Sequence, residues 1–173
     1  MKRALFLDRD GVLNIPILRG GRTYAPVQFS DFQLYEDVIP TLHEVKNRGY
    51  LLVLITNQPD LSKGLLAPEE LHRMHQFLQE KIPFDSLEVC PHQDSDDCEC
   101  RKPKPGMILR AAKQLSIDLS QSIVIGDRWR DILAGKTAGC KTALKIVEDF
   151  TDDRQETPDW TIFQLQEILK YLK

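Results

Sequence analysis

The sequence predicts an α/β fold, with a mostly parallel β-sheet and helices on both faces. Short apolar runs alternate with segments of helical periodicity along the 173 residues, which is the pattern of βαβ units. The strand-like runs are apolar throughout, as in parallel strands that are buried on both sides. We find no internal repeat, low-complexity tract or second apolar core. We therefore expect a single domain over residues 1–173.

The predicted elements follow one another in a regular order. Apolar runs predict five strands, at residues 3–7, 51–56, 86–89, 122–125 and 140–144. Val38, Leu42 and Val45 recur at helical spacing, and Gly49 can end that helix. Helices are predicted at residues 37–48, 68–80, 106–115, 130–138 and 162–172. Residues 15–35, 90–105 and 148–159 are predicted to be connections, and the first of these suits a substrate loop.

Composition and charge narrow the class of protein. The net charge of −3 does not favour binding to nucleic acid. No apolar stretch approaches the roughly 20 residues that span a bilayer, and the N-terminus lacks the features of a signal peptide. We expect a cytoplasmic, monomeric protein without a nucleic-acid or membrane partner.

Polar residues follow three of the predicted strands. Asp8 and Asp10 end the first strand, Thr56 ends the second, and Asp127 ends the fourth. Ligands of parallel sheets bind beyond the carboxyl ends of the strands, so these groups should converge. A lone Asp-x-Asp can be a turn or a helix cap, but three such strand ends favour a site. Asp8, Asp127 and the backbone carbonyl of Asp10 can supply oxygen ligands to Mg²⁺.

This set of groups suits phosphoryl transfer. One carboxylate can attack phosphorus and form an aspartyl-phosphate, which water then hydrolyses. The other can protonate the leaving alkoxide and then deprotonate the attacking water. Lys102 or Lys104 can offset negative charge on the transferring group, and the Thr56 hydroxyl can donate a hydrogen bond to it.

A second cluster has the composition of a structural zinc site. Cys90, His92, Cys98 and Cys100 form a C-x-H-x5-C-x-C pattern, a closed Cys₃His set. The alternative is a redox or incidental cysteine cluster. The loop leads directly into Arg101 and Lys102, so a bound metal would position catalytic residues. Cys140 stands apart and is predicted to be a core residue.

The ordered motifs resemble those of the haloacid dehalogenase (HAD) superfamily of phosphohydrolases. They are Asp8-Arg-Asp10-Gly-Val, Thr56-Asn57-Gln58, Arg101-Lys102-Pro103 and Gly126-Asp127-x-x-x-Asp131. The resemblance covers residues 3 to about 145 and implies a Rossmann-like sheet. Only about 11 residues separate Thr56 from the next helix, so we expect no large cap domain. The cysteine-rich loop is similar to that of the zinc-loop branch, which contains heptose-bisphosphate and histidinol-phosphate phosphatases.

The resemblance also implies roles for individual residues. Asp8 would be the nucleophile and Asp10 the general acid/base, while Thr56 and Lys102 would hold the phosphoryl group. Mg²⁺ would be bound by Asp8, Asp10 and Asp127, and Zn²⁺ by the Cys₃His set. Arg101, Asn57, Gln58 and Arg128 would contact a small phosphorylated metabolite; Arg128 stands where the heptose enzymes have a lysine.

The implied activity is a Mg²⁺-dependent phosphatase, acting at C7 of a heptose 1,7-bisphosphate. The alternatives are a histidinol-phosphate phosphatase and a non-catalytic phosphoacceptor or zinc-binding module.

The resemblance favours Lys102 over Lys104 as the lysine that binds the phosphoryl group. Asp131 either binds metal through water, orients Lys102, or complements a helix dipole. Trp129 flanks the pocket or caps a helix, and Arg19 and Arg22 either bind a second phosphate or are solvated. The histidines of the predicted helices are expected at the surface or on helix faces: His43, His72 and His75.

Overall fold

A computed structural model of the chain describes residues 1–152 and 154–172. Its main sheet has six parallel strands in the order β5-β4-β1-β6-β7-β8. The strands are β1 (Ala4–Leu7), β4 (Leu51–Asn57), β5 (Ser86–Cys90), β6 (Ile123–Gly126), β7 (Lys141–Lys145) and β8 (Trp160–Ile162). The predicted α/β class is confirmed, with one strand more than expected. A separate two-stranded hairpin consists of β2 (Ile17–Arg19) and β3 (Arg22–Tyr24).

Helices cover both faces of the sheet, as predicted. They are α1 (Val38–Asn47), α2 (Pro68–Lys81), α3 (Gly106–Leu115) and α4 (Trp129–Ala138). Alternate strand residues point to opposite sides, so Leu5 and Leu7 pack with α1 and α2, whereas Ala4 and Phe6 pack with α3 and α4. Gly135 lets α4 approach the sheet closely, because a Cβ there would lie 2.8 Å from Thr142. Cys140 is buried in this second core, as expected.

The helix predicted at residues 162–172 is wrong. Ile162 instead lies in β8, where its carbonyl accepts a hydrogen bond from the Ile146 amide at 2.9 Å. A 3₁₀ helix at Leu165–Lys170 follows, and Glu167 caps its start. Leu165 and Ile168 are both buried, and residues three apart share a face in a 3₁₀ helix. The apolar spacing that suggested an α-helix is therefore satisfied by the shorter one.

The connection predicted at residues 15–35 contains regular structure that the sequence did not reveal. Residues Ile17–Arg19 (β2) and Arg22–Tyr24 (β3) form an antiparallel hairpin with Gly20-Gly21 at its tip. Both glycines have positive φ, as tight hairpin turns require. Arg19 and Arg22 face each other at the tip and are exposed. No helix in the described ranges is long and apolar enough to cross a membrane.

Candidate active site

A cleft of about 240 Å³ opens at the carboxyl ends of β1, β4 and β6. Most of the residues that line it are charged. Its acids are Asp8, Asp10, Asp60, Asp127 and Asp131, and its cations are Lys63, Arg101, Lys102, Arg128 and Arg130. The topology thus brings together residues from distant parts of the chain, as the three polar strand ends predicted.

Lys102 is the buried cation at the base of this cleft. Its Nζ lies 2.9 Å from Asp8 Oδ1 and 2.5 Å from Asp131 Oδ1, and it donates to the Ile55 carbonyl at 2.8 Å. Burial opposes the charge, but Asp131 and Asp8 outweigh it and raise the pKa of Lys102. Lys104, the competing candidate, lies outside the cleft and pairs with Asp97.

Asn57 holds the backbone of Lys102 in place. Its side-chain Nδ2 donates to the Lys102 carbonyl and its Oδ1 accepts from the Lys102 amide, both at 3.1 Å. Asn57 also lines the cleft, so the predicted substrate contact stays a prediction beside this positioning role. Asp131 similarly serves two structural purposes, because it pairs with Lys102 and accepts from the Arg128 amide at the start of α4.

Three carboxylates form a compact acidic group beside Lys102. Ligand oxygens of Asp8, Asp127 and Asp131 lie within 4.8 Å of one another. Burial and the neighbouring Asp8 and Asp131 raise the pKa of Asp127 well above its ordinary value. Burial also raises the pKa of Asp8 to about 6, against the lowering effect of Lys102. Asp127 Oδ1 is buried without a hydrogen-bond partner in the described residues. Clustered oxygens and an unpartnered buried oxygen fit a hard divalent cation such as Mg²⁺.

Gly11 is the residue that lets Asp127 sit against the first strand end. It has φ +86°, and a Cβ there would lie 2.5 Å from Asp127 Oδ2. Lys145, buried at the end of β7, donates to the Gly11 carbonyl at 3.1 Å and lies over the Tyr35 ring. The Asp-x-Asp-Gly turn is therefore fixed from behind by a residue that the sequence did not single out.

The side chain of Asp10 turns away from the acidic group. Its Oδ1 accepts from Asn14 at 3.1 Å and from Arg9, and its Oδ2 accepts from Gln58 at 2.8 Å. Asp10 is thus absent from the group of carboxylates that can share a metal, which leaves its backbone carbonyl as the predicted ligand.

Thr56 and Gln58 lie just below the surface of the cleft. Both are fully buried, and Gln58 Nε2 donates to Thr56 Oγ1 at 2.9 Å. This contact leaves the hydroxyl hydrogen of Thr56 unused, but Thr56 does not line the cleft. Its predicted contact with a phosphoryl group stays a prediction. Gln58 does not line the cleft, and its observed contacts are to Thr56 and Asp10. Its predicted contact with substrate stays a prediction.

The four predicted zinc ligands converge at the end of β5. The three Sγ atoms of the cysteines are 3.2–3.6 Å apart, and His92 Nδ1 lies 3.6 Å from Cys90 Sγ and 3.3 Å from Cys100 Sγ. Ligands about 2.3 Å from a tetrahedral Zn²⁺ would be separated by similar distances, so the set fits this ion. Arg101 NH1 donates to the His92 carbonyl at 3.0 Å, which ties the loop to the cleft.

Two of the cleft's arginines share one acidic partner. Asp94 Oδ1 lies 2.7 Å from Arg101 Nε and 3.1 Å from Arg130 NH1. Arg130 and Lys63 line the cleft but were not singled out from the sequence, because neither belongs to a recognised motif. The sequence offered one indication of their role: Arg130 lies in the first turn of the helix after Asp127, and Lys63 lies in the loop that follows β4.

Arg128 connects the cleft wall to the β2–β3 hairpin. Its NH2 donates to the Thr23 carbonyl at 3.0 Å and to Thr23 Oγ1 at 2.5 Å. Thr23, Tyr24 and Ala25 of the hairpin segment line the cleft. Arg19 and Arg22, at the hairpin tip, do not line it. Trp129 also lies outside it; its amide donates to Asp152 Oδ2 and its ring contacts Arg130 and Arg154.

Sequence reasoning missed a buried group behind Asp10. Arg9 is fully buried, and its guanidinium lies 3.4 Å from His75 on α2. His75, which was expected at the surface or on a helix face, lies on the inward face of α2, where it is partly buried and contacts Arg9. The signal available was the helical spacing of His75 and Leu71, which puts both on the inward side of α2.

Comparison with known proteins defines the class. The model of the HAD-hydrolase-like family matches residues 99–168. A solved structure of a D,D-heptose 1,7-bisphosphate phosphatase from B. bronchiseptica, complexed with magnesium and phosphate, has a TM-score of 0.77. It shares 24% identity and covers 99% of this chain and 97% of that chain. The fold is that of a HAD-type hydrolase without a large cap.

Relatives with similar sequences identify the family within the HAD superfamily. A D-glycero-β-D-manno-heptose-1,7-bisphosphate 7-phosphatase from Pasteurella multocida is 34% identical over 186 aligned positions, covering 100% of this chain and 98% of that protein. The protein of the same name from Helicobacter pylori is 38% identical over 153 positions, with 85% of each chain covered. The chain therefore belongs to the HAD superfamily, in the family that these phosphatases define.

Proposed function

We propose that this protein is a Mg²⁺-dependent phosphomonoesterase that removes the 7-phosphate of D-glycero-β-D-manno-heptose 1,7-bisphosphate. The observation that carries the proposal is the division between the two carboxylates of the first strand end. Asp8 contacts Lys102 among clustered acids, whereas Asp10 is held apart by Arg9, Asn14 and Gln58. Such a division suits a nucleophile and a separate proton donor.

The proposed reaction has two steps at phosphorus. A carboxylate oxygen of Asp8 attacks, the bond from phosphorus to the sugar oxygen breaks, and Asp10 gives its proton to the departing alkoxide. Asp10 then takes a proton from water, whose oxygen attacks the aspartyl-phosphate. The bond between Asp8 and phosphorus breaks, releasing inorganic phosphate and restoring the Asp8 carboxylate. Lys102 and the Thr56 hydroxyl hold the phosphoryl oxygens during both steps.

Asp8, Asp127 and the Asp10 carbonyl would hold Mg²⁺. The ion would neutralise charge between the phosphate dianion and the acidic cleft. Asp131 has a positioning role in this proposal, because its carboxylate is paired with Lys102.

The cations at the cleft's outer edge support a substrate with a second anionic group. Arg101 has a side chain 15% exposed and Arg130 one 33% exposed, so both reach solvent beside the buried Lys102. Arg128 and Lys63 add charge on other sides of the cleft. The relatives' names supply the identity of the sugar and the anomer.

Zn²⁺ would be held by the Cys₃His set and would fix the loop that carries Arg101 and Lys102. All four positions are filled by protein ligands, so the ion would have a structural role. We also propose a cytoplasmic location, because the four cysteines form no disulfide in the described structure, as expected in a reducing compartment.

The test is a comparison of kcat/KM with Mg²⁺ for both anomers of the heptose 1,7-bisphosphate and for histidinol phosphate. We expect the β anomer to be preferred over both of the others. Preference for histidinol phosphate would overturn the substrate assignment, and inactivity on every phosphomonoester would overturn the enzymatic role. The matched variant Asp8→Asn should be inactive in the same assays.

A further inference from the structure

A buried cationic group lies behind Asp10, outside the cleft. Arg9 is fully buried and does not line the cleft. Its Nε and NH2 lie 3.2 and 3.1 Å from Asp10 Oδ1. The proposed reaction gives Arg9 no direct contact with substrate, so its buried charge needs another explanation.

The far side of the Arg9 guanidinium is held by side chains that carry no opposing charge. NH1 lies 3.4 Å from His75 Nε2 and 3.6 Å from Met74 Sδ, and the group lies 5.4 Å from the centre of the Phe32 ring. A π face and a polarisable sulfur can hold a cation without competing for its ion pair. Asp10 is therefore the carboxylate to which this cation is directed.

His75 is an acceptor in this arrangement. A guanidinium has only N–H donors, so His75 Nε2 must accept and the ring hydrogen must be on Nδ1. Burial and Arg9 lower the pKa of His75 to about 4, which supports a neutral ring at neutral pH. A protonated ring would face Arg9 with a second positive charge.

We propose that Arg9 and His75 are positioning residues that orient the Asp10 carboxyl group toward the leaving-group oxygen. The inference rests on the proposed function, since it assumes that Asp10 is the general acid. His75 fixes the plane of the Arg9 guanidinium, which in turn fixes Oδ1 of Asp10. The side-chain amides of Asn14 and Gln58 also donate hydrogen bonds to Asp10, to Oδ1 at 3.1 Å and to Oδ2 at 2.8 Å.

Dependence on the leaving group separates this role from a merely structural one. An alkoxide leaves from a sugar phosphate only with a proton, whereas p-nitrophenolate leaves without one. The value of kcat/KM for each substrate reports the steps from binding through the phosphorylation of Asp8. Asp10 acts as the acid in that phosphorylation. General acid catalysis typically contributes 10²–10⁴-fold, so partial misplacement should be measurable.

The experiment compares His75→Leu and Arg9→Lys with wild type on the heptose bisphosphate and on p-nitrophenyl phosphate. We expect kcat/KM for the sugar phosphate to fall roughly 10- to 100-fold. For p-nitrophenyl phosphate we expect a change below about 3-fold, since its leaving group needs little acid assistance. His75→Gln keeps an acceptor oxygen and should restore most of the loss.

The control is His72→Leu, an exposed position one turn earlier on α2, which should behave as wild type. Circular dichroism and thermal melting show whether each variant is folded. If Arg9→Lys does not fold, the His75 variants alone decide the test. Equal losses on both substrates, or no loss on either, would overturn the proposal. Wild-type inactivity, or an Asp10→Asn variant without leaving-group dependence, would instead overturn the proposed function.

Discussion

Asp8 and Asp10 are two positions apart but have different environments. Lys102 contacts Asp8 at 2.9 Å, and Arg9 contacts Asp10 at 3.1 Å. The sequence predicted both carboxylates and the lysine from motif positions. It could not predict which neighbours separate the two roles, because Arg9, Asn14 and Gln58 take their positions from tertiary packing.

Asp127 allows the metal site to be tested by stability. Its buried carboxyl group lies near Asp8 and Asp131, and its Oδ1 has no partner in the described structure. We expect Asp127→Asn to raise the melting temperature without metal, by relieving repulsion. Added Mg²⁺ should raise the melting temperature of wild type but not of the variant. Equal stabilisation of both proteins by Mg²⁺ would contradict this placement of the ion.

His75 should make the protein less stable in mild acid. The unfolded chain protonates this histidine near pH 6.5 and the folded protein at about 4. Between these values the unfolded state binds more protons, so stability falls as the pH is lowered. This contribution is about 2 kcal/mol between pH 7 and pH 5.

Urea unfolding of wild type and His75→Gln at pH 7 and pH 5 measures that contribution. The variant should lose less free energy of unfolding on acidification, whereas His72→Gln should lose as much as wild type. An identical pH response in wild type and His75→Gln would show that the buried ring does not resist protonation.

At the scale of the elements, the turn after β1 depends on Gly11. Gly11→Ala would place a Cβ against Asp127 in addition to the strain of φ +86°. We expect loss of nearly all activity and a destabilisation of about 2 kcal/mol or more. Gly49→Ala is the matched control, since its φ is +81° but nothing lies within 4 Å of the added carbon.

Chemical denaturation and kcat together decide this prediction. Gly49→Ala should cost only the strain of the backbone, roughly 1 kcal/mol, and keep full activity. If Gly11→Ala matched Gly49→Ala in both measurements, the close approach of Gly11 to Asp127 would have no functional importance.

The loop between β5 and α3 should link zinc to catalysis. Arg101 donates to the His92 carbonyl, and Lys102 follows Arg101 directly. Removal of zinc by a chelator should therefore lower kcat/KM by at least about 10-fold, through misplaced cations at the cleft. Metal analysis of the protein before and after chelation, run alongside the assay, should show the loss of one zinc ion per chain. Full activity in zinc-free protein would contradict a positioning role for the loop.

The elements were predictable to different degrees. Continuous apolar runs identified the central strands, because parallel strands buried on both faces need them. The hairpin at residues 17–24 was missed because its residues are mostly exposed. Strand β8 was missed because it has only three residues, of which Ile162 alone is buried. Lys63 and Arg130 belong to no recognised sequence motif, so their position in the cleft is apparent only from the folded structure.

At the scale of the whole molecule, the topology creates the site. Strands β1, β4 and β6 are neighbours in the sheet although β6 follows β4 by more than sixty residues in sequence. Their carboxyl ends bring Asp8, Thr56 and Asp127 close together, and these residues carry the proposed nucleophile, the proposed phosphate-binding hydroxyl and a proposed metal-binding carboxylate. In place of a large cap, the β2–β3 hairpin segment and the end of the cysteine-rich loop at Arg101 and Lys102 line the cleft.

In the proposed reaction, Asp8 carries the phosphoryl group during turnover. Rapid acid quench of the working enzyme, followed by borohydride reduction, converts an aspartyl-phosphate to homoserine, which peptide mass spectrometry locates. We predict homoserine at position 8 in wild type and none in Asp8→Asn. Reduction at another residue, or turnover without any reducible acyl-phosphate, would show that Asp8 is not the nucleophile.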